Sequence, residues 1–173
     1  MSDFLIKNLV SKNDVKSMLE IDRIVFKNEN NVPEDIVMSW YNKNPNIYTA
    51  IFDKQKLIGY INFMPITKEC YDSYLTGKYG ENNINSDDVL IYKPNEKYYT
   101  LFSSVAIDPK YHNSSVFTHL ITNFYKNMKD YLTANNITII STIAECVNSK
   151  MEKFVANSGF KKIKNKIYEG QIF

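Results

Sequence analysis

The chain has 173 residues, 44% of them hydrophobic and 14% aromatic, with 13 Tyr and 10 Phe. That length suits one domain around one core, and the composition is that of a folded chain rather than a disordered one. A formal net charge of +2, with lysines spread along the chain, lacks the concentrated basic face of a nucleic-acid binder.

Two cysteines, Cys70 and Cys146, lie far apart, and the two histidines, His112 and His119, form no HxxxH or HExxH pattern. The spacing argues against a zinc site. The opening MSDFLIKNLV has no charged start followed by a long apolar core, and no apolar run reaches membrane-spanning length. The expectation is a soluble cytoplasmic protein with reduced thiols and neither a nucleic-acid nor a membrane partner.

Phe4 to Leu9 reads as a short first strand. Ser11 or Asn13 then caps a helix with Val15, Met18, Leu19, Asp22, Val25 and Phe26 at helical spacing. Asn28 to Asn31 is a polar break. Pro33, followed by Glu34 and Asp35, opens a second helix through Ile36, Val37, Trp40 and Tyr41, which ends at Asn44-Pro45-Asn46. A hairpin follows: Ile47 to Phe52, a turn at Asp53-Lys54-Gln55-Lys56, and a return strand Leu57 to Met64 with Gly59 in its middle.

Residues 67 to 97 are polar, Tyr-rich and punctuated by Gly77, Gly80 and Pro94, and Ser86-Asp87-Asp88 has the composition of a helix cap. So long a connection suggests a functional or mobile segment, and its tyrosines (Tyr71, Tyr74, Tyr79, Tyr92) suit a lid, a surface excursion or half of a homodimer contact. A strand over 98–107 and a helix over 115–133 come next. Ile137 to Ala144 reads as a strand buried on both faces. Asn148 caps a last helix that stops at Asn157-Ser158-Gly159, and Phe160 to Phe173 supplies one or two terminal strands. Lys161, Lys162, Lys164 and Lys166 alternate with Ile163 and Ile167, as on a solvated strand face.

The segment Tyr98 to Leu120 carries most of the chemistry. An apolar strand stops at Asp108-Pro109, turns through His112-Asn113-Ser114-Ser115 and becomes an amphipathic helix. A strand, turn and helix start of this kind aims backbone N–H groups at one point, where the partial positive charge of the helix favours an anion.

Element order and sequence marks together resemble the GNAT superfamily, the Gcn5-related N-acetyltransferases. Val105-Ala106-Ile107-Asp108-Pro109-Lys110-Tyr111 resembles the strand and x-P-x-Y of that family's acetyl-CoA loop. Asn148-x-x-Met151-x-x-Phe154-Val155-x-Asn157-Ser158-Gly159-Phe160 resembles its second signature, and Ile21-Asp22-x-x-Val25-Phe26 is a further match in the first helix. These cover nearly the whole chain except residues 67 to 97. The chain departs from the pattern at His112, where the family has Gln or Arg, at Ser115 and Phe117, where it has small residues, and at Val155, where many relatives carry a Tyr that protonates the leaving thiolate.

The resemblance implies an α/β fold: a mixed central sheet with one β-α-β crossover, flanked by helices on both faces. It implies an N-acetyltransferase that moves the acetyl group of acetyl-CoA, or another acyl-CoA, to a primary amine of a small molecule or protein by direct attack. The main chain of Val105 and Ile107 would hold the pantetheine arm. His112, Asn113, Ser114, Ser115, Val116, Phe117 and Thr118 would surround the pyrophosphate, with Asn148 near the cofactor arm. A carboxylate would take the amine's proton: Glu145 at the end of the strand 137–144, with Asp22 and Glu20 as further candidates. Tyr98 and Tyr99 at the entrance of the strand over 98–107 are the candidate acid or substrate-holding groups. Direct transfer needs no acyl-enzyme, which leaves Cys146 as a small buried hydrophobe. The departures at Phe117 and Val155 leave a second reading open, a GNAT-like domain without efficient catalysis that senses a ligand or binds a partner.

Overall fold

In the computed structural model, which describes residues 4–27 and 31–173, seven strands form one mixed sheet in the order β1-β2-β3-β4-β5-β7-β6. The strands are β1 (Leu5–Lys7), β2 (Tyr48–Asp53), β3 (Lys56–Ile66), β4 (Lys97–Ile107), β5 (Thr138–Glu145), β6 (Lys161–Lys164) and β7 (Ile167–Gly170). The helices are α1 (Lys12–Val25), α2 (Glu34–Lys43), α3 (Lys68–Leu75), α4 (Val116–Ala134) and α5 (Ser149–Asn157). The expected mixed α/β architecture is therefore present. No described helix is long and apolar enough to cross a membrane. By contacts the chain divides into two compact units, one of Met1–Asn62 with Ser104–Met128 and the other of Phe63–Ser103 with Lys129–Phe173.

In the first unit, β1, β2 and the start of β3 are antiparallel neighbours, with Leu5 opposite Phe52 and Tyr48 opposite Asn62. Ser11 and Asp14 start α1 with a reciprocal cap: the Ser11 hydroxyl accepts from the Asp14 N–H and Asp14 accepts from the Ser11 N–H. Helix α1 then buries Val15, Met18, Leu19 and Ile21, while α2 buries Val37 and Trp40. Tyr41 ties α2 to the segment before α1 by donating to the Val10 carbonyl at 3.0 Å. Pro33 is the N-cap of α2 rather than a residue of its first turn. Gly59 permits a close strand approach, since a Cβ there would lie 3.0 Å from the Ala106 carbonyl oxygen and 3.0 Å from Cγ1 of Ile107.

In the second unit, β4 and β5 are parallel, from Lys97 opposite Thr138 to Phe102 opposite Ala144. At the centre of this pair the hydroxyls of Thr100 and Thr142, both fully buried, meet at 2.7 Å. Strand β7 returns antiparallel to β5, from Glu145 opposite Ile167 to Thr142 opposite Gly170. The expectation of a β5 strand buried on both faces holds only for its C-terminal half. Thr142, Ile143 and Ala144 are buried, whereas Ile140 is 36% exposed, because β7 flanks β5 only from Thr142 onward.

The 67–97 connection is built differently from the polar excursion that its composition suggested. Thr67 caps α3, which buries Cys70, Tyr71 and Tyr74, and Ile84 and Val89 are also buried. Val89 bridges to Ile66, and the Leu90 N–H donates to the Pro65 carbonyl. The residues 86–88 form a turn and no helix. Asn85 closes it by accepting from the Asp87 N–H and donating its own N–H to Asp88. Tyrosine rings supply the apolar area that aliphatic residues supply elsewhere, and the hydroxyls of Tyr71 and Tyr74 meet carboxylates.

Candidate functional site

Within the first unit, the end of β4 and the start of α4 are joined by a short turn that several side chains clamp. The Asp108 N–H donates to the Ile58 carbonyl at 2.8 Å, continuing the contact with β3 past the strand end. Lys56 donates to Asp108 Oδ2 at 2.7 Å, and the Lys110 N–H donates to Oδ1 at 3.0 Å. These bonds, that from Lys56 first, hold the Asp108 carboxyl below the ordinary carboxylate range. Tyr111 donates to Asp53 at 2.8 Å. The β2–β3 hairpin turn thus grips the Asp108-Pro109-Lys110-Tyr111 segment with two of its own charged residues. Sequence reading gave Asp53-Lys54-Gln55-Lys56 only as the turn of a hairpin. The signal was available in the Asp53-x-x-Lys56 spacing, which matches Tyr111 and Asp108.

His112 turns one ring nitrogen back to the strand end. Its Nε2 lies 2.9 Å from the Ile107 carbonyl, so that nitrogen carries the hydrogen and donates back to the strand end. The residue pins the loop from within. The Ser114 hydroxyl donates to the Tyr111 carbonyl at 2.6 Å, and its oxygen accepts from the Val116 N–H at 3.3 Å. Val116 is buried, Phe117 is half-buried, and Asn113, Ser114, Ser115 and Thr118 are exposed. At this end the His119 N–H donates to the Ser115 carbonyl, and the exposed Ser115 and Thr118 hydroxyls stand at the helix start, where its partial positive charge favours an anion.

On β4 itself, pairing with β5 ends at Phe102, and the strand continues from Ser103 to Ile107. Val105 is half-buried and Ile107 buried, so their side chains pack while their main chain defines the strand edge.

Two other sequence candidates lie in the second unit. Glu145 ends β5 and its Oε2 accepts from the Tyr74 hydroxyl of α3. Tyr71 of the same helix donates to Glu169, which also accepts from Ser141 at 3.1 Å. Burial, and then the nearby carboxylates Glu81 and Glu145, push the Tyr74 hydroxyl far above its ordinary range. Tyr74 therefore remains a proton donor to Glu145 at any ordinary pH. Asn148 is exposed and caps α5 by accepting from the Met151 N–H at 3.0 Å.

Tyr98 does not stand at the loop end of its strand. It is the second residue of β4, is 4% exposed, and accepts from the Lys93 N–H at 2.7 Å. Its own hydrogen faces Glu96 at 2.9 Å and the Ile91 carbonyl at 3.1 Å. These bonds engage the hydroxyl in closing the turn before β4, which is a structural task. Burial pushes the Cys146 thiol up to about 11, consistent with a packed side chain and not a nucleophile. Val155 is buried in the face of α5.

No protein-family model matches the chain, nor does any curated protein sequence. Solved structures do match over nearly its whole length. An acetyltransferase of the GNAT family from Staphylococcus aureus Mu50 shares 12% identity at a TM-score of 0.62, over 98% of this chain and 99% of its own. FeeM, an N-acyl amino acid synthase from uncultured soil microbes, shares 14% identity at a TM-score of 0.64, over 98% of this chain and 90% of its own. A PaiA N-acetyltransferase from Thermoplasma acidophilum, solved in complex with coenzyme A, shares 17% identity at a TM-score of 0.53, over 98% and 99%. The chain has the fold of the GNAT N-acetyltransferases.

Proposed function

We propose that this chain transfers an acyl group, acetyl in the first instance, from an acyl-CoA to a primary amine. The observation that carries the reading is the clamped strand, turn and helix start from Ser104 to Thr118, found in a fold shared with acetyltransferases. The residues fit the group. The exposed hydroxyls of Ser115 and Thr118 at the positive end of α4 suit a pyrophosphate. The main chain of β4 beyond Phe102 suits the amides of a pantetheine arm.

Bound there, an acyl-CoA would supply the thioester that the amine attacks. The residues of the chain do the rest. Lys56, Asp53 and His112 fix the loop so that its donors need no rearrangement when the anion arrives, which lowers the entropic cost of binding. A β4 N–H directed at the thioester oxygen would stabilise the negative charge that develops there. We assign Glu145 to holding α3 through Tyr74, and the amine's proton to another carboxylate, argued below.

A second reading, a ligand-sensing or partner-binding module with weak coenzyme affinity, draws on Phe117 at the helix start and on Val155, which offers no hydroxyl for the leaving thiolate. A thermal-shift titration separates the two. Acetyl-CoA at 100 times its Kd would stabilise the folded chain by about 2.7 kcal/mol. Phe117→Ala should strengthen the shift by opening space beside the phosphates. No shift at millimolar acetyl-CoA or CoA would favour the binding module.

A further inference from the structure

The first unit holds a second polar group, on the strand face that α1 packs against. Tyr60 of β3 donates its hydroxyl to Asp22 of α1 at 2.6 Å. Asn62, two residues along β3 and so on the same face, is 2% exposed, and its Oδ1 has no hydrogen-bond partner. Tyr48, opposite Asn62 on β2, sets its ring 6.3 Å from that of Tyr60, and Ser104 of β4 acts on the Tyr60 hydroxyl. Asp22 itself is half-buried, which leaves it an open side. A buried amide oxygen without a donor is costly, and sites of this kind in native proteins answer to a ligand, a water or an ion.

Both acceptors ask for the same thing. An ionised carboxylate on α1 that bonds Tyr60, and a buried amide oxygen on β3 opposite Tyr48, suit a single N–H-bearing cation with an apolar arm. We infer that Asp22 and Asn62 form the acceptor-amine site of the acyl transfer proposed above, with Asp22 as the residue that takes the proton. The inference rests on that reading of the function and names its substrate class, a primary monoamine with an aromatic or apolar arm.

The step balances as follows. The ammonium R–NH3+ gives one proton to the Asp22 carboxylate, and its freed lone pair attacks the thioester carbon. The C–N bond forms and the carbonyl electrons move to oxygen. They return as the C–S bond breaks, and the bond pair leaves with the thiolate. The second nitrogen proton passes through water to the thiolate, and Asp22 releases its own to solvent. The products are the amide, free CoA and one proton.

The groups that face Asp22 support the role. Burial, the larger effect, pushes its carboxyl up to about 6, and the Tyr60 hydrogen bond opposes that rise. Tyr60, on β3, is the titratable partner, and Tyr48 on β2 acts on Tyr60 in turn. From α2, packed against α1, Glu34 engages Arg23 at 3.9 Å. A base of this strength is ionised at neutral pH and still basic enough to accept a proton.

The test uses phenethylamine as the monoamine probe, with spermidine as the polyamine control. Calorimetric titration of CoA-saturated protein should show phenethylamine bound more tightly than spermidine, and Asn62→Leu should weaken that affinity about tenfold. With acetyl-CoA, Asp22→Asn should lower kcat/KM about 100-fold and abolish the ascending limb of its pH profile near 6. Tyr60→Phe, which removes the bond that lowers the Asp22 value, should move that limb to higher pH. Active wild type with an unaltered limb and rate in Asp22→Asn overturns the inference and leaves acyl transfer standing. Phenethylamine affinity that depends on Asp22 and Asn62, in a chain that neither binds CoA nor turns over, supports the amine site and overturns the acyltransferase reading. Equal amine affinity in wild type, Asp22→Asn and Asn62→Leu overturns the site.

Discussion

Lys56, the first residue of β3, places its ammonium 2.7 Å from Oδ2 of Asp108, the residue that follows β4. A hairpin turn thereby governs a loop on which anion binding would depend. Asp108 sits in a pocket of low exposure, while the Lys56 side chain is 58% exposed, so the pair has only part of the strength of a buried one.

Asp108→Asn should cost about 1 kcal/mol of stability near pH 7. The Asp108 carboxyl is held below its ordinary 3.8, so its contribution is present above that value and lost as pH falls through the folded-state value. The gap between variant and wild type should therefore close in strong acid. Urea midpoints at neutral and acid pH check it, and a constant gap would mean that charge is not the cause.

Gly59→Ala should destabilise the first unit by roughly 1–3 kcal/mol, since the new methyl meets a backbone oxygen and a packed isoleucine at 3.0 Å, tight enough that both neighbours must give way by a few tenths of an ångström. The displaced neighbours are Ala106 and Ile107, so coenzyme affinity should fall along with the melting temperature. A variant that melts lower yet binds acetyl-CoA as wild type does would separate Gly59 from the loop.

Asp22→Asn should be more stable than wild type near pH 7, by about 1–2 kcal/mol. Burial raises the folded-state carboxyl from 3.8 to about 6, so the fold favours the protonated form. That contribution is fully present below 3.8 and lost as pH rises through about 6. Asparagine is never charged and keeps an oxygen for Tyr60. The advantage should vanish in acid, and melts across pH 3 to 8 would reveal the crossover. A slower yet sturdier variant is what a strained functional carboxylate predicts.

Tyr74→Phe should cost about 1–3 kcal/mol, because Glu145 Oε2 then loses the donor that satisfies it, whereas Glu145→Gln retains an acceptor and should cost less. A double-mutant cycle measures the coupling between the two. A turnover loss of two orders of magnitude in Glu145→Gln would return the proton-accepting role to β5.

The sequence made the framework readable where local chemistry alone decides the outcome. Ser11 and Asn148 cap their helices through their own side chains, and Gly159 takes a φ of +89° after α5, as expected of a residue after a helix end. The strand, turn and helix of residues 98–120 were legible for the same reason. Helix α3 was not, because its buried positions are Cys70, Tyr71 and Tyr74, and tyrosine reads as polar until its hydroxyl has a carboxylate to meet. Contacts between residues distant in the chain escaped as well: Tyr60 with Asp22 and Lys56 with Asp108. Each depends on register, which no single segment encodes.

Thr100 and Thr142 touch hydroxyl to hydroxyl where parallel strands β4 and β5 are most deeply enclosed. Sliding either strand by one residue would turn both groups away from each other and strand them among hydrocarbon. The pair works as an index mark for alignment of a ladder that ends two positions beyond it, at Phe102 opposite Ala144. Substituting valine at both sites should preserve bulk yet erase that mark, leaving a well-filled interior with an ill-defined register.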